Sequence, residues 1–233
     1  MNTRTLMRKL ARWHIWLGWL IGVPLLLWTL SGFVMVLKPI EEVRGNHLRK
    51  EIAETPLPRD TQISVSLPSD GTKPVRSVST QIERGEPVTR IIYLDGTSER
   101  FRADGNPMAP LSEIEARLIV AETIVGGDQV IDARRFDADD PPRDFRRPEA
   151  VWQVALADGT HVYVGIETGE IEAVRTRWWR IFDFMWSLHI MDLQEREDTS
   201  HPTLVLFTGL ALLGTLIGMI LLFRRRRSAA KQS

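Results

Sequence analysis

Residues 15–37 read IWLGWLIGVPLLLWTLSGFVMVL, a run of 23 residues with no formal charge. About 20 apolar residues suffice to cross the hydrocarbon of a bilayer as a helix. A second uncharged run, LVLFTGLALLGTLIGMILLF over residues 204–223, stops abruptly at Arg224-Arg225-Arg226-Arg227. Backbone groups in hydrocarbon find no water, so each run is expected to be a helix that satisfies its own hydrogen bonds. Pro24 falls inside the first and predicts a kink there. A cleaved signal peptide is the alternative for the first run. Its apolar core spans only about 7–15 residues and precedes a small-residue cleavage site. Phe33-Val34-Met35-Val36-Leu37-Lys38-Pro39 offers no such site, so a retained span is expected.

Charge is segregated along the chain. Of the 30 basic residues, nine lie in the two ends: Arg4, Arg8, Lys9 and Arg12 before the first run, and Arg224 to Arg227 with Lys231 after the second. Neither end carries an acid, so all 30 acidic residues lie in residues 38–203 against 21 basic ones. The zero net charge is therefore a cancellation between basic ends and an acidic middle. Basic flanks stay on the cytoplasmic side of spans. Both termini are thus expected in the cytoplasm and the middle in the periplasm, across a bacterial inner (plasma) membrane. Trp13, Trp16 and Trp19 suit an aromatic belt at the cytoplasmic interface. The chain has no cysteine, which excludes disulfides and thiolate metal sites.

The expected organisation is a basic tail (1–14), a first transmembrane helix (15–37), a polar connector (38–70), a periplasmic domain (71–176), an interfacial aromatic helix with linker (177–203), a second transmembrane helix (204–223) and a basic tail (224–233). Within the domain, Val75–Glu83 ends at Arg84-Gly85, Pro87–Leu94 at Asp95-Gly96, and Ser98–Arg102 at Asp104-Gly105. Alternating runs bounded by such pairs predict hairpins. Ser112-x-x-Glu115 is a capping box that opens a helix. Ile114, Leu118, Ala121 and Val125 follow at helical spacing and are expected to pack on a sheet. Trp152, Val154 and Leu156 alternate on one strand, then Val162, Val164 and Ile166 on the next, and Ile171–Arg175 returns. The fold class is α+β: two transmembrane helices flanking an extracytoplasmic domain in which a helix packs on antiparallel sheet.

Trp152-Gln153-Val154, Asp158-Gly159, Val162-Tyr163-Val164 and Thr168-Gly169-Glu170-Ile171, in that order after a helix and a strand, resemble a PepSY domain. The flanking Arg12-Trp13-His14-x-x-x-Gly18 and Trp186-x-x-His189 segments resemble the PepSY-associated transmembrane family, of which this is a small two-span member. The resemblance implies an accessory or regulatory role at the envelope. Larger relatives with four or more spans include ferric-siderophore reductases that bind haem in the membrane, so the resemblance implies, as an alternative, haem b as the cofactor and iron uptake as the process.

His14, His189 and His201 are the candidate haem ligands. His14 starts the first span on one face with Gly18 and Gly22; an interfacial imidazole is the alternative. Asp192, one turn beyond His189, is a candidate to orient that ring, and His201 precedes Pro202 at a predicted helix start, with Ser200 and Thr199 as competing caps. A span is about 30 Å long, so His14 cannot share one haem with His189 or His201. Bis-histidine ligation would pair His189 with His201, or two His14 rings across a homodimer. Gly18-x-x-x-Gly22 and Gly214-x-x-x-Gly218 are helix-packing motifs, read either as packing of the two spans on each other or as a dimer contact.

His47 lies in the connector and His161 on the wet face of its strand. Asp137, Asp139, Asp140 and Asp144 form an acidic segment without EF-hand spacing, beside Arg143, Arg146 and Arg147, and are expected to be a solvated insertion. No phosphate loop, HExxH, hydrolase elbow or dinucleotide fingerprint is present, and no catalytic residue or metal site is assigned. An acidic extracytoplasmic domain argues against nucleic acid. Membrane lipid and a periplasmic or membrane protein are the expected partners, the latter engaged at an exposed strand edge.

Overall fold

Most of the first apolar run lies within a longer helix, α1, which extends over Thr3–Met35 and so takes in the basic segment before the run, with Pro24 inside it. The computed structural model describes residues 3–52, 55–65 and 73–229; the end of the connector and the tip of the C-terminal tail lie outside them. After α1 come the single turn α2 (Ile40–Val43), β1 (Val75–Glu83), β2 (Glu86–Tyr93), β3 (Ser98–Arg102), α3 (Glu113–Thr123), β4 (Val130–Phe136), β5 (Val151–Leu156), β6 (His161–Gly165), β7 (Ile171–Arg175), α4 (Arg177–His189) and α5 (Pro202–Ala229). The chain forms two compact units, residues 40–180 and a helical unit of residues 1–39 with 181–233.

In the helical unit, α1 over Thr5–Met35 and α5 over Pro202–Phe223 are long and apolar enough to cross a membrane. They pack on each other along Leu17, Ile21 and Phe207, which are buried. Small residues decide how close they come. A Cβ on Gly214 would sit 3.3 Å from Ile21 Cδ1, and one on Gly218 would sit 2.8 Å from His14 Cε1. Gly18 and Gly22 differ: added Cβ atoms there meet nothing within 4 Å.

Unit 40–180 holds two antiparallel sheets, ordered β1-β2-β3 and β4-β5-β6-β7. Arg84 and Gly85, with φ of 51° and 85°, form a two-residue turn joining β1 to β2. Positive φ at both central positions is the I′ pattern, whose twist matches the strands. Arg90 ties this sheet to the β6–β7 turn, donating to Glu83, to Glu170 and, at 3.1 Å, to Thr168 O.

The capping box forms: Ser112 N donates to Glu115 Oε2 at 2.8 Å and Glu115 N to Ser112 Oγ at 3.3 Å. The helix it opens packs on the four-stranded sheet through a different face from the expected one. Ala116, Val120 and Ile124 are buried against Val154, Leu156, Val162 and Val164, while Ile114, Leu118 and Val125 point away. The two stripes lie about 200° apart at 100° per residue. Both are apolar and each holds an alanine, Ala116 in one and Ala121 in the other, so periodicity alone cannot choose between them. Trp152 Nε1 donates to Leu111 O at 2.7 Å, and Leu111 N to Ile166 O at 2.9 Å, which pins the entry to α3. The connector is partly ordered onto the same helix: Lys50 N bonds Thr123 O, and Val125 N bonds Leu48 O.

This packing predicts that Ala116→Leu overfills the core and costs about 1–3 kcal/mol. Leu118→Ala, on the outward stripe, should stay within about 0.5 kcal/mol. Chemical denaturation of the detergent-solubilised chain measures both.

Candidate functional site

Two histidines of the helical unit are held in the same manner. His14 Nδ1 lies 3.1 Å from Gly214 O. A carbonyl only accepts, so Nδ1 carries the proton and Nε2 of the neutral ring keeps its lone pair. His189 Nδ1 lies 3.2 Å from Trp28 O and 3.1 Å from Ser31 Oγ. Ser31 Oγ already donates to Trp28 O at 2.8 Å, so His189 Nδ1 is again the donor. The His189 ring stacks on the Trp28 indole at 4.5 Å between centroids, and a Cβ on Gly32 would meet its Cε1 at 3.1 Å. Among the described residues, nothing hydrogen-bonds Nε2 of either ring. Fixing one ring nitrogen on a carbonyl is how proteins orient an imidazole for ligation through the other.

The rings are not brought together. His189 packs at Gly32, 18 residues beyond His14 on α1, or about 27 Å along the axis. His201 lies at the same end of the helical unit as His189, since Thr203, its hydrogen-bond partner, also reaches Met191 O at 3.3 Å. Its carbonyl accepts from Leu204 N and Val205 N, so it caps α5 in place of Ser200 or Thr199, and its Nδ1 meets Thr203 Oγ1 at 2.6 Å. His14 also borders a shallow groove with Gly18, Gly22 and Leu26 on the side of α1 where the glycines are open.

Asp192 does not orient His189. Its buried carboxylate accepts from the backbone N–H groups of Gln194, Glu195, Glu197 and Asp198 at 3.1–3.3 Å. Burial raises its pKa, and these four donors outweigh burial and hold it below the usual carboxylate range. Arg196, at the centre of that loop with φ of 61°, pairs with Asp183, and its carbonyl takes Trp186 Nε1 at 3.1 Å. The segment between α4 and α5 is thereby a fixed turn.

In unit 40–180, the acidic segment divides. Asp137, Asp139 and Asp140 are exposed, but Asp144 is drawn onto the sheet face opposite α3. It accepts from the Tyr163 hydroxyl, pairs with His161 Nδ1 at 3.1 Å, and its carbonyl takes Arg175 Nε at 2.8 Å. Phe145 follows it inward and stacks on Tyr163 at 4.9 Å. The solvated readings of Asp144 and His161 are thus corrected. The missed signal was the Phe145 beside Asp144, an aromatic too large to leave in water. Burial raises the Asp144 pKa, and hydrogen bonds from His161 and Tyr163 more than reverse this, leaving it lowered. Burial, then the bond to Asp144, pushes the Tyr163 phenol up. His47 lies exposed in a single 3₁₀ turn. No group of three or more metal-ligating side chains occurs among the described residues.

The outward side of α3 is the clearest apolar feature of this unit. Ile114 and Leu118 are 71% and 47% exposed, Val125 beyond the helix end is 54% exposed, and Ile131 on β4 is 68% exposed.

These features sit in a recognisable frame. Residues 11–233 match the PepSY-associated TM region, and the chain belongs to that family. It is a membrane protein with two candidate spans flanking a domain. No curated protein and no solved structure matches it.

A carboxylate with a lowered folded-state pKa contributes stability above its unfolded value, near pH ~3.9, and loses it as pH falls through the folded value. The stability advantage of the wild type over Asp144→Asn is therefore expected to shrink between about pH 5 and about pH 3, measured by denaturant unfolding. An advantage that grows on acidification would contradict this.

Proposed function

We propose that the chain is a non-enzymatic accessory or regulatory protein of a bacterial inner membrane, which holds a PepSY-like domain in the periplasm to bind another protein. The orientation rests on the basic ends and acidic middle, since Lys and Arg remain cytoplasmic. The observation that carries the binding role is the exposed apolar pair Ile114 and Leu118 on α3, with Val125 just beyond its end. A helix already packed through one apolar face gains nothing for its own fold from a second, and contiguous exposed apolar surface marks interaction sites. A photo-crosslinker placed at Leu118 in cells should give discrete adducts absent when it is placed at Asp139, and Ile114→Glu should abolish them. Equal labelling at both positions would refute the role of the stripe.

A second reading is favoured by the two anchored imidazoles. A haem b in the membrane would be held between two His14 rings across a homodimer, or between His189 and His201 of one chain, because His14 and His189 of one chain lie a span apart. Such a group would supply one-electron transfer for reduction of iron-siderophore or metal substrates. The residues of this chain fix ring orientation through Gly214 O, Trp28 O and Ser31 Oγ. Protein purified in mild detergent from haem-replete cells should then show a Soret band, with α and β bands sharpening on dithionite. Both should vanish in the variant that removes the ligating histidine, His14→Ala or His189→Ala, and persist in the other. A colourless preparation would eliminate this reading.

A further inference from the structure

Four strands border the two sheets, and three of them are covered or guarded. The outer side of β3 is bridged by Pro107 opposite Phe101, with Met108 N bonded to Arg100 O at 2.7 Å. β7 carries Arg49 on Ile171 O at 3.1 Å and Arg147 on Glu172 O at 2.6 Å. β4 has a register shift between Val130 and Asp132, and charged side chains at Asp132, Arg134 and Arg135. Bulges and charges are the usual guards of an edge strand. β1 has neither over most of its length. Among the described residues β2 is its only neighbour, its register shift is confined to Val75/Ser77, and residues 77–82 read SVSTQI, without charge or proline.

The register says which backbone groups that edge presents. A two-residue turn makes the flanking pair Glu83↔Glu86 a hydrogen-bonded one, and pairs then alternate. Ile82↔Pro87, Thr80↔Thr89 and Val78↔Ile91 are therefore the non-bonded pairs. Two side-chain observations agree: Pro87 has no N–H to give, and Thr80 Oγ1 meets Thr89 Oγ1 at 2.8 Å, as the closer spacing of such pairs allows. The N–H and C=O groups of Val78, Thr80 and Ile82 accordingly point outward. The same three residues share one face of the strand, which makes a β-branched ladder, while Ser77, Ser79 and Gln81 line the other.

We infer that β1 is a β-augmentation site that takes an extended peptide segment of a partner protein, pairing with Val78, Thr80 and Ile82. The peptide is about five residues long, free of proline, with β-branched or aromatic side chains on alternate positions. This rests on the reading that the domain binds a protein, and supplies the chemistry of what it binds.

The test uses the full chain in lipid nanodiscs and a phage-displayed library of random dodecapeptides. Enriched sequences should show the alternation, and a synthetic winner should bind at least about tenfold more weakly to Val78→Pro. It should bind Ile131→Glu and Thr80→Ala as it binds the wild type, because both leave the β1 backbone donors in place. N-methylation of the peptide provides a control independent of protein folding. Methylating alternate residues in one register should abolish binding, and methylating the other register should leave it. Winners indifferent to Val78→Pro and to N-methylation in either register, but lost in Leu118→Glu, would overturn the edge assignment and leave the protein-binding reading standing. No enrichment over empty nanodiscs would overturn both. A wild-type dimer that Val78→Pro renders monomeric would give the edge to a second copy of this chain and overturn the peptide assignment.

Discussion

Two uncharged helical runs in hydrocarbon must satisfy their own backbones, and the helical unit is built on the contact they make with each other. Gly214 and Gly218 are bare on the side of α5 that meets Leu17, Ile21 and His14 of α1. Without the hydrophobic effect to drive them together, helices in lipid associate through close packing and a few polar contacts. Both are present: the glycines admit the approach, and His14 Nδ1 donates to Gly214 O across it. The contact thus brings together two apolar runs that are 166 residues apart in the chain.

The same contact gives His14 a defined role. An imidazole at a span end can remain wet, but this one is turned inward and spends one nitrogen on a carbonyl of the neighbouring helix. His189 repeats the arrangement with Trp28 and Ser31 some 18 residues along α1. Such matching at two levels is more than helix packing alone needs, since a small apolar residue at either place would also fill the gap. In the central unit the comparable excess is on the surface: a second apolar face on α3 and an unguarded strand on one sheet. A domain selected only for stability would cover or charge both.

Much of this was legible in the residues. The spans follow from charge-free runs of sufficient length, and the hairpins and capping box from turn and cap chemistry that acts within four residues. What could not be read was anything that depends on which of two equivalent faces is used. Ile114 and Leu118 have the periodicity of a core face, as do Ala116 and Val120, and only the sheet decides. Gly18 and Gly22 have the spacing of Gly214 and Gly218, yet only the second pair faces the other helix. Asp192 and Asp144 illustrate long-range polar pairing: Asp192 was placed by its spacing from His189 but caps a turn, and Asp144 looked solvated but is held by residues 17 and 19 positions away. Sequence spacing reports neighbours on one element and is silent on neighbours across elements.

The account depends most on the central unit lying across the membrane from both ends. The absence of native cysteine makes this directly measurable. Single cysteines, one replacing the exposed Asp140 and one appended after Ser233, are labelled with a membrane-impermeant maleimide in cells whose outer membrane has been opened. The account predicts labelling at Asp140→Cys before lysis and at the C-terminal cysteine only after it. Labelling of the C-terminal cysteine in unlysed cells, or protection of Asp140→Cys, would contradict it.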